Sequence, residues 1–143
     1  RQMCIRDRFI ANGNKNNPIS KMIKNGKFTH FFPKVSSLDA KKKWIIGSLS
    51  SNGTIKIDDG ASKALRNGKS LLAAGVIRIN GSFKKGENVL ILDQSNNQLA
   101  RGLSSFSSDE INKIKGKQSK EIEKILGYLS KTEIIHKDDM VLL

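Results

Sequence analysis

The 143-residue sequence predicts a mostly β fold with short helices, a small pseudo-barrel, preceded by the remnant of an α/β unit. Three observations carry this. From Trp44 onward, short apolar runs recur between glycine-bearing turns, the pattern of a small and largely closed barrel. Two short helices with recognisable starts and stops follow that run. Before it, a single apolar segment and one amphipathic stretch are too short to bury their own apolar face, so they read as the last βα piece of a larger domain.

In chain order, residues 1–8 (Arg1-Gln2-Met3-Cys4-Ile5-Arg6-Asp7-Arg8) show neither strand alternation nor a helical apolar face, resemble translated adaptor text, and are set apart from the fold, the alternative being a native frayed terminus. Residues 9–37 read as strand end, loop, helix and loop. Asn12-Gly13-Asn14 has turn chemistry, Pro18 suits a first helical turn, Ile19, Met22 and Ile23 share one face, and Asn25-Gly26 ends the helix. Ser36-Ser37 and Lys41-Lys42-Lys43 read as a linker.

Residues 38–143 form the second predicted domain. Trp44–Leu49 and Thr54–Ile57 read as strands on either side of the turn Ser50-Ser51-Asn52-Gly53. Asp58 or Asp59 then caps a helix that buries Ala61, Ala64 and Leu65 and ends at Asn67-Gly68. Val76–Ile79, Val89–Leu92 and Gln98–Leu103 are strands. Ser107 and Glu110 form a capping box before Ile111 and Ile114, and Gly116 closes that helix. A further helix begins at Ser119, presents Ile122, Ile125 and Leu126, and stops at Gly127. Ile134-Ile135 and Met140–Leu143 supply one or two closing strands.

Composition narrows the function. The net charge is +13, but residues 1–43 hold 11 Lys/Arg against Asp7 and Asp39, leaving only 15 basic and 11 acidic residues for 44–143. The barrel is thus mildly basic, which weakens a nucleic-acid reading based on charge alone. No apolar stretch approaches the ~20 residues that span a bilayer. No secretory signal pattern is present, and Cys4 has no partner, so a reducing cytoplasm is expected.

Chemistry is sparse. Gly68-Lys69-Ser70 looks like the end of a phosphate-binding loop, yet Lys63 stands where its first glycine belongs and the run follows a helix instead of opening one. It reads as a turn docking the next strand. Asp58-Asp59 reads as cap and dipole partner, not as a metal or acid–base pair. His30 and His136 lack neighbours at metal-ligand spacing, and His136 is expected to be satisfied by the carboxylates of Asp138-Asp139. No catalytic, cofactor or metal residue is predicted. For RNA, Lys63, Arg66, Lys69, Arg78, Lys84, Lys85 and Arg101 are the candidate phosphate contacts. Phe83, Phe106 and Tyr128 are expected in core packing, which leaves few aromatics for stacking bases.

A set of short motifs in fixed order resembles the C-terminal part of glutamate 5-kinases. It comprises Lys43-Trp44-Ile45, Asp58-Asp59-Gly60-Ala61, Gly68-Lys69-Ser70-Leu71-Leu72, Gly81-Ser82-Phe83, Ala100-Arg101-Gly102-Leu103, Ser107-Ser108, Ile114-Lys115-Gly116, Glu121-Ile122, Leu126-Gly127-Tyr128 and the ending around His136-Lys137-Asp138. The resemblance runs from about Phe9 to Leu143. Departures are Phe28 where the family has Gly, Ala73 where Pro is common, Phe106 for Tyr, and Lys137 for Arg, which loses a two-pronged donor. The resemblance implies an ATP:L-glutamate phosphotransferase that makes L-glutamyl 5-phosphate, the first step of proline biosynthesis. It implies an amino-acid-kinase domain followed by a PUA domain, with Phe9-Ile10-Ala11-Asn12-Gly13 as the last kinase strand and turn. ATP, Mg2+ and L-glutamate would be held before Phe9, in a parent enzyme expected to be a homo-oligomer, and this piece is expected to be inactive alone. The alternative is a stand-alone RNA-binding PUA module.

Overall fold

A computed structural model describes residues 7–14, 16–24, 26–32, 36–47, 51–128 and 131–143. Six leader residues including Cys4, Asn25 of the helix-ending pair, Leu49 and Ser50 therefore lie outside the described residues. The chain divides into two compact units, Arg1–Ala40 and Lys41–Leu143.

In the first unit, β1 (Arg8–Ala11) and β2 (Phe28–Phe31) pair antiparallel with Arg8 opposite Phe31, and α1 (Pro18–Ile23) lies between them in sequence. Arg8, assigned above to the leader, is thus the first residue of β1. Pro18 occupies the first helical turn as expected. The loop expected over Phe28–Phe31 is instead a strand, because aromatic and β-branched residues suit the face of an antiparallel partner. His30 stacks on Phe9 with ring centroids 4.0 Å apart and meets Asp7 through Nε2 at 3.3 Å.

The expected strand Trp44–Leu49 and the linker before it are corrected: Ser37–Gly47 is a helix, α2. The Ser36 hydroxyl accepts the Asp39 amide hydrogen at 3.0 Å and donates to the Asp39 carboxylate at 2.7 Å, capping the helix start. Ala40 and the three lysines after it are good helix formers, and a short run such as Trp44-Ile45-Ile46 does not distinguish strand from helix by periodicity. The last turn of α2 is held from the side. Asn88 donates to the Ile45 carbonyl at 2.9 Å, and Arg101 reaches the Ile46 carbonyl at 3.5 Å. Side chains thereby satisfy carbonyls that a helix end leaves open.

The second unit contains β3 (Gly53–Ile57), α3 (Asp59–Arg66), β4 (Leu71–Leu72), β5 (Val76–Gly81), β6 (Asn88–Leu92), β7 (Gln98–Leu103), α4 (Ser108–Ile114), α5 (Ser119–Leu126), β8 (Glu133–Ile135) and β9 (Met140–Leu142). Five strands form one sheet in the order β5-β3-β6-β7-β9, in which only β3–β6 is parallel. A second ribbon pairs β4 with β8, Leu71 opposite Ile135. Among the described residues the strand order leaves β5 and β9 as the edges of this sheet.

Both sheets feed one core. Along β3 the inward residues Ile55 and Ile57 are buried while Thr54 and Lys56 are half-buried, the period of two that a strand imposes. Val89 and Ile91 from β6, Leu71 from β4, and Ile134 and Ile135 from β8 meet them. The two later helices add Ile111, Ile114 and Ile122, and Phe106 packs into the same cluster. Ser107 and Glu110 form the expected capping box, and Gly127 adopts the left-handed helix-ending conformation at φ 77°.

Candidate nucleic-acid interface

Three of the candidate phosphate contacts lie on or just after α3. Its N-terminus is fixed by Asp58, whose carboxylate accepts the Ala61 amide hydrogen at 2.6 Å. The Asp58 amide donates to the Gly75 carbonyl at 3.0 Å, tying the helix start to the short 3-10 turn Ala73–Gly75. Asp58 is a cap, as expected, and Asp59 sits in the first turn, where a carboxylate favours the helix dipole. Gly75 permits the close approach: a Cβ there would lie 2.4 Å from the Ala61 Cβ.

After the helix, Gly68 turns the chain at φ 70°. Its amide donates to the Leu65 carbonyl and the Lys69 amide donates to that of Ala64, at 2.9 and 3.0 Å. Those two hydrogens are consumed by the helix end, so Gly68-Lys69-Ser70 offers no cradle for a nucleotide phosphate and does not fit ATP. The Ser70 hydroxyl accepts the Lys137 amide hydrogen at 3.0 Å, and β4 follows directly. The segment is the strand-docking turn that its sequence indicates.

Between α3, this turn and the 3-10 turn opens a cleft of about 550 Å³. Ala61, Ala64, Leu72 and Ala74 make its walls apolar; Lys69 and Glu133 add charge. Its size falls within the range of small-ligand sites.

The seven candidate basic residues fall into three groups. Lys63 and Arg66 are exposed three residues apart on α3, the helix that walls the cleft, and Lys69 is exposed just beyond it on the cleft lining. Arg78 is exposed on the edge strand β5, and Lys84 and Lys85 are exposed in the turn that follows it. Arg101 differs, being half-buried on β7 with its guanidinium directed at the end of α2. Among the described residues, none of the first six forms a salt bridge. Acids nevertheless temper some of them. The side chain and amide of Asn97, with the Ser95 amide and the charge of Arg66, hold Asp93 below its usual range against desolvation. The Lys84 amide, then the Asn52 side chain, do the same for Glu87.

Phe83 and Phe106 are buried as expected, whereas Tyr128 is exposed and donates its hydroxyl to the Glu110 carboxylate. Burial pushes the Glu110 carboxyl up, but Tyr128 and the amide and hydroxyl of Ser107 together outweigh it, leaving the carboxyl below its usual range. The hydrogen bond to Glu110 raises the Tyr128 hydroxyl. His136 is satisfied differently from expectation: Nδ1 accepts the Asp138 amide hydrogen at 3.2 Å, with the Asp138 carboxylate farther off at 3.6 Å. Among the described residues no group of His, Cys, Asp and Glu could hold a metal, and no helix is long and apolar enough to cross a membrane.

Two features carry no local signature in the sequence: the cleft, and the attachment of the α4–α5 turn to it. There Gly116, at φ 73°, donates its amide hydrogen to the Ala73 carbonyl at 2.7 Å.

This fold, a five-stranded sheet and a two-stranded ribbon with α3 beside the cleft, carries the signature of the PUA domain, which matches residues 53–126. The chain belongs to that family. Its curated relatives are larger proteins. It is 61% identical over 132 residues to the glutamate 5-kinase of Pelagibacter ubique (strain HTCC1062), covering 92% of this chain and 36% of that enzyme. With the glutamate 5-kinase of Sinorhizobium fredii (strain NBRC 101917 / NGR234) it shares 43% identity over 134 residues, covering 94% and 34%. The matched segment is the C-terminal part of these kinases, and the chain spans about a third of their length. Among solved structures, a PUA domain from Aeropyrum pernix K1 in a tartrate complex aligns at a TM-score of 0.46 and 14% identity, over 91% of this chain and 85% of its own. The archaeal box H/ACA sRNP Nop10–Cbf5 complex aligns at 0.43 and 23%, over 64% and 23%.

Proposed function

We propose that this chain is the PUA-bearing accessory part of a cytoplasmic glutamate 5-kinase, an ATP-dependent phosphotransferase that makes L-glutamyl 5-phosphate for proline biosynthesis. The carrying observation is 61% identity across 92% of the chain to such an enzyme. Catalysis, with ATP, Mg2+ and L-glutamate, belongs to the two-thirds of the relatives that this chain does not span, and the parent assembles as a homo-oligomer. The use of the Gly68 and Lys69 amides in closing α3, where a phosphate loop would present them to a nucleotide, supports that division. The test is glutamate-dependent ADP release by the purified chain. None is expected above a no-protein control, and sustained release would refute the division.

A second reading concerns the PUA unit itself. Lys63, Arg66 and Lys69 stand exposed on and beside the helix that walls the cleft, without ion pairs among the described residues, which favours an RNA backbone as their partner. Binding through them is expected to weaken steeply as salt rises. Affinity independent of salt would remove this reading.

A further inference from the structure

We propose that the turn joining α4 to α5 is a second phosphate-contacting element, so that an RNA strand held at α3 continues across the cleft onto Lys113, Lys115 and Lys117. The inference rests on the RNA reading above and extends it to residues outside the α3 set.

The chemistry is local. Residues 113–124 carry Lys113, Lys115, Lys117, Lys120 and Lys124, all exposed, against only Glu121 and Glu123. None of the five lysines forms a salt bridge among the described residues; Lys115 donates to the Asn112 side chain at 3.1 Å. Glu121 is engaged in capping α5, its carboxylate accepting the Gln118 amide hydrogen at 2.9 Å. Within an otherwise mildly basic unit, this is a concentrated positive stretch.

The fold joins that stretch to the cleft. The Gly116 amide donates to the Ala73 carbonyl at 2.7 Å, and Ala73 opens the 3-10 turn whose Ala74 and Gly75 line the cleft with α3. Lys115 and Lys117 flank the anchoring glycine, so one hydrogen bond ties the basic turn to the buried first residue of the 3-10 turn. Lys69 lines the cleft and Lys63 is exposed on α3. A strand neutralised there would, on this proposal, meet further cations on the turn that Gly116 anchors. The contacts would be to phosphates, which position a nucleic acid without reading its bases.

The experiment uses the full chain and a fluorescein-labelled RNA hairpin with a single-stranded tail, titrated at several salt concentrations. Three charge-matched variants are compared: Lys113→Gln/Lys115→Gln/Lys117→Gln in the turn, Lys63→Gln/Arg66→Gln/Lys69→Gln at α3, and Lys21→Gln/Lys24→Gln/Lys27→Gln in the first unit. Each removes the same charge, and thermal denaturation checks that each folds. The turn variant is expected to bind more weakly and to lower the slope of log K against log salt by about 2–3 units, since each phosphate that is no longer neutralised accounts for about 0.7–0.9. The first-unit variant is expected to bind like the parent. Weakening of the α3 variant alone, with the turn variant unchanged, would overturn the second element and leave the α3 reading standing. Equal loss in the turn and first-unit variants would reduce the effect to net charge and overturn it as well. A parent chain without salt-dependent binding would remove both readings.

Discussion

Replacing Gly75 by Ala tests how tightly α3 is seated against the cleft. The backbone of Gly75 is not in the left-handed region, so alanine suits its conformation, and the whole cost is steric. The new methyl would stand 2.4 Å from the Ala61 Cβ, a separation at which one element must move. The side chain of Ala61 is not a flexible tip that can swing aside, so the first turn of α3 shifts, stretching the 3.0 Å bond from Asp58 to Gly75 and the cap beside it. Overpacking of this kind costs about 1–3 kcal/mol. The reduced freedom of the unfolded chain offsets this by about 0.4–1 kcal/mol in favour of alanine. The expected net loss is about 1–2 kcal/mol, which lowers the melting temperature of a domain this size by roughly 5–15 °C. Thermal and denaturant unfolding of the chain would read it. Adding Ala61→Gly makes room but costs about 1 kcal/mol in helix propensity. The double variant should therefore be more stable than the sum of the singles predicts, with a coupling of about 0.5–3 kcal/mol. Additive effects, or an unchanged melting temperature for Gly75→Ala, would refute this seating of α3.

Other outcomes follow from the same structure. Tyr128→Phe removes a donor to Glu110, whose folded carboxyl lies below its ordinary 4.5. Its stabilising contribution is complete above 4.5 and is lost as pH falls through the lower folded value, so the variant should lose less stability than the parent on acidification from about pH 6 to about pH 3. Identical acid profiles would contradict that role. Arg101→Ala should speed amide exchange at the end of α2 while β6 stays protected, because the guanidinium covers the Ile46 carbonyl; unchanged exchange would discount that hydrogen bond. In the first unit, Phe9, Ile10, Ile19 and Ile23 are all exposed, so the amides of Phe9–Ala11 and Ile19–Ile23 should exchange quickly, and protection equal to that of Val89–Leu92 would contradict it.

Much of the second unit is legible in the sequence because its signals are local. The capping box at Ser107 and Glu110, the Asp58 cap and the inward alternation of β3 each lie within a few residues. The helix α2 is the exception. Its start carries a signal in Ser36 and Asp39, but the apolar run Trp44-Ile45-Ile46 reads equally as a strand. Its placement depends on Asn88 and Arg101, more than forty residues away, receiving the last carbonyls. Lys63 and Arg66 are visible on a helix and Lys69 in the turn after it, but the cleft is not. Its lining residues Leu72 and Glu133 are set opposite each other by the pairing of β4 with β8, and Gly75 is held to Asp58, contacts that no local pattern encodes.

Service as the C-terminal part of a glutamate 5-kinase is tested most directly by a chimera, the Pelagibacter ubique enzyme with its matched segment replaced by residues 9–143 of this chain. Glutamate-dependent ADP formation by the chimera should match that of the unaltered enzyme. A chimera that folds and yet forms no ADP in response to glutamate would contradict that role.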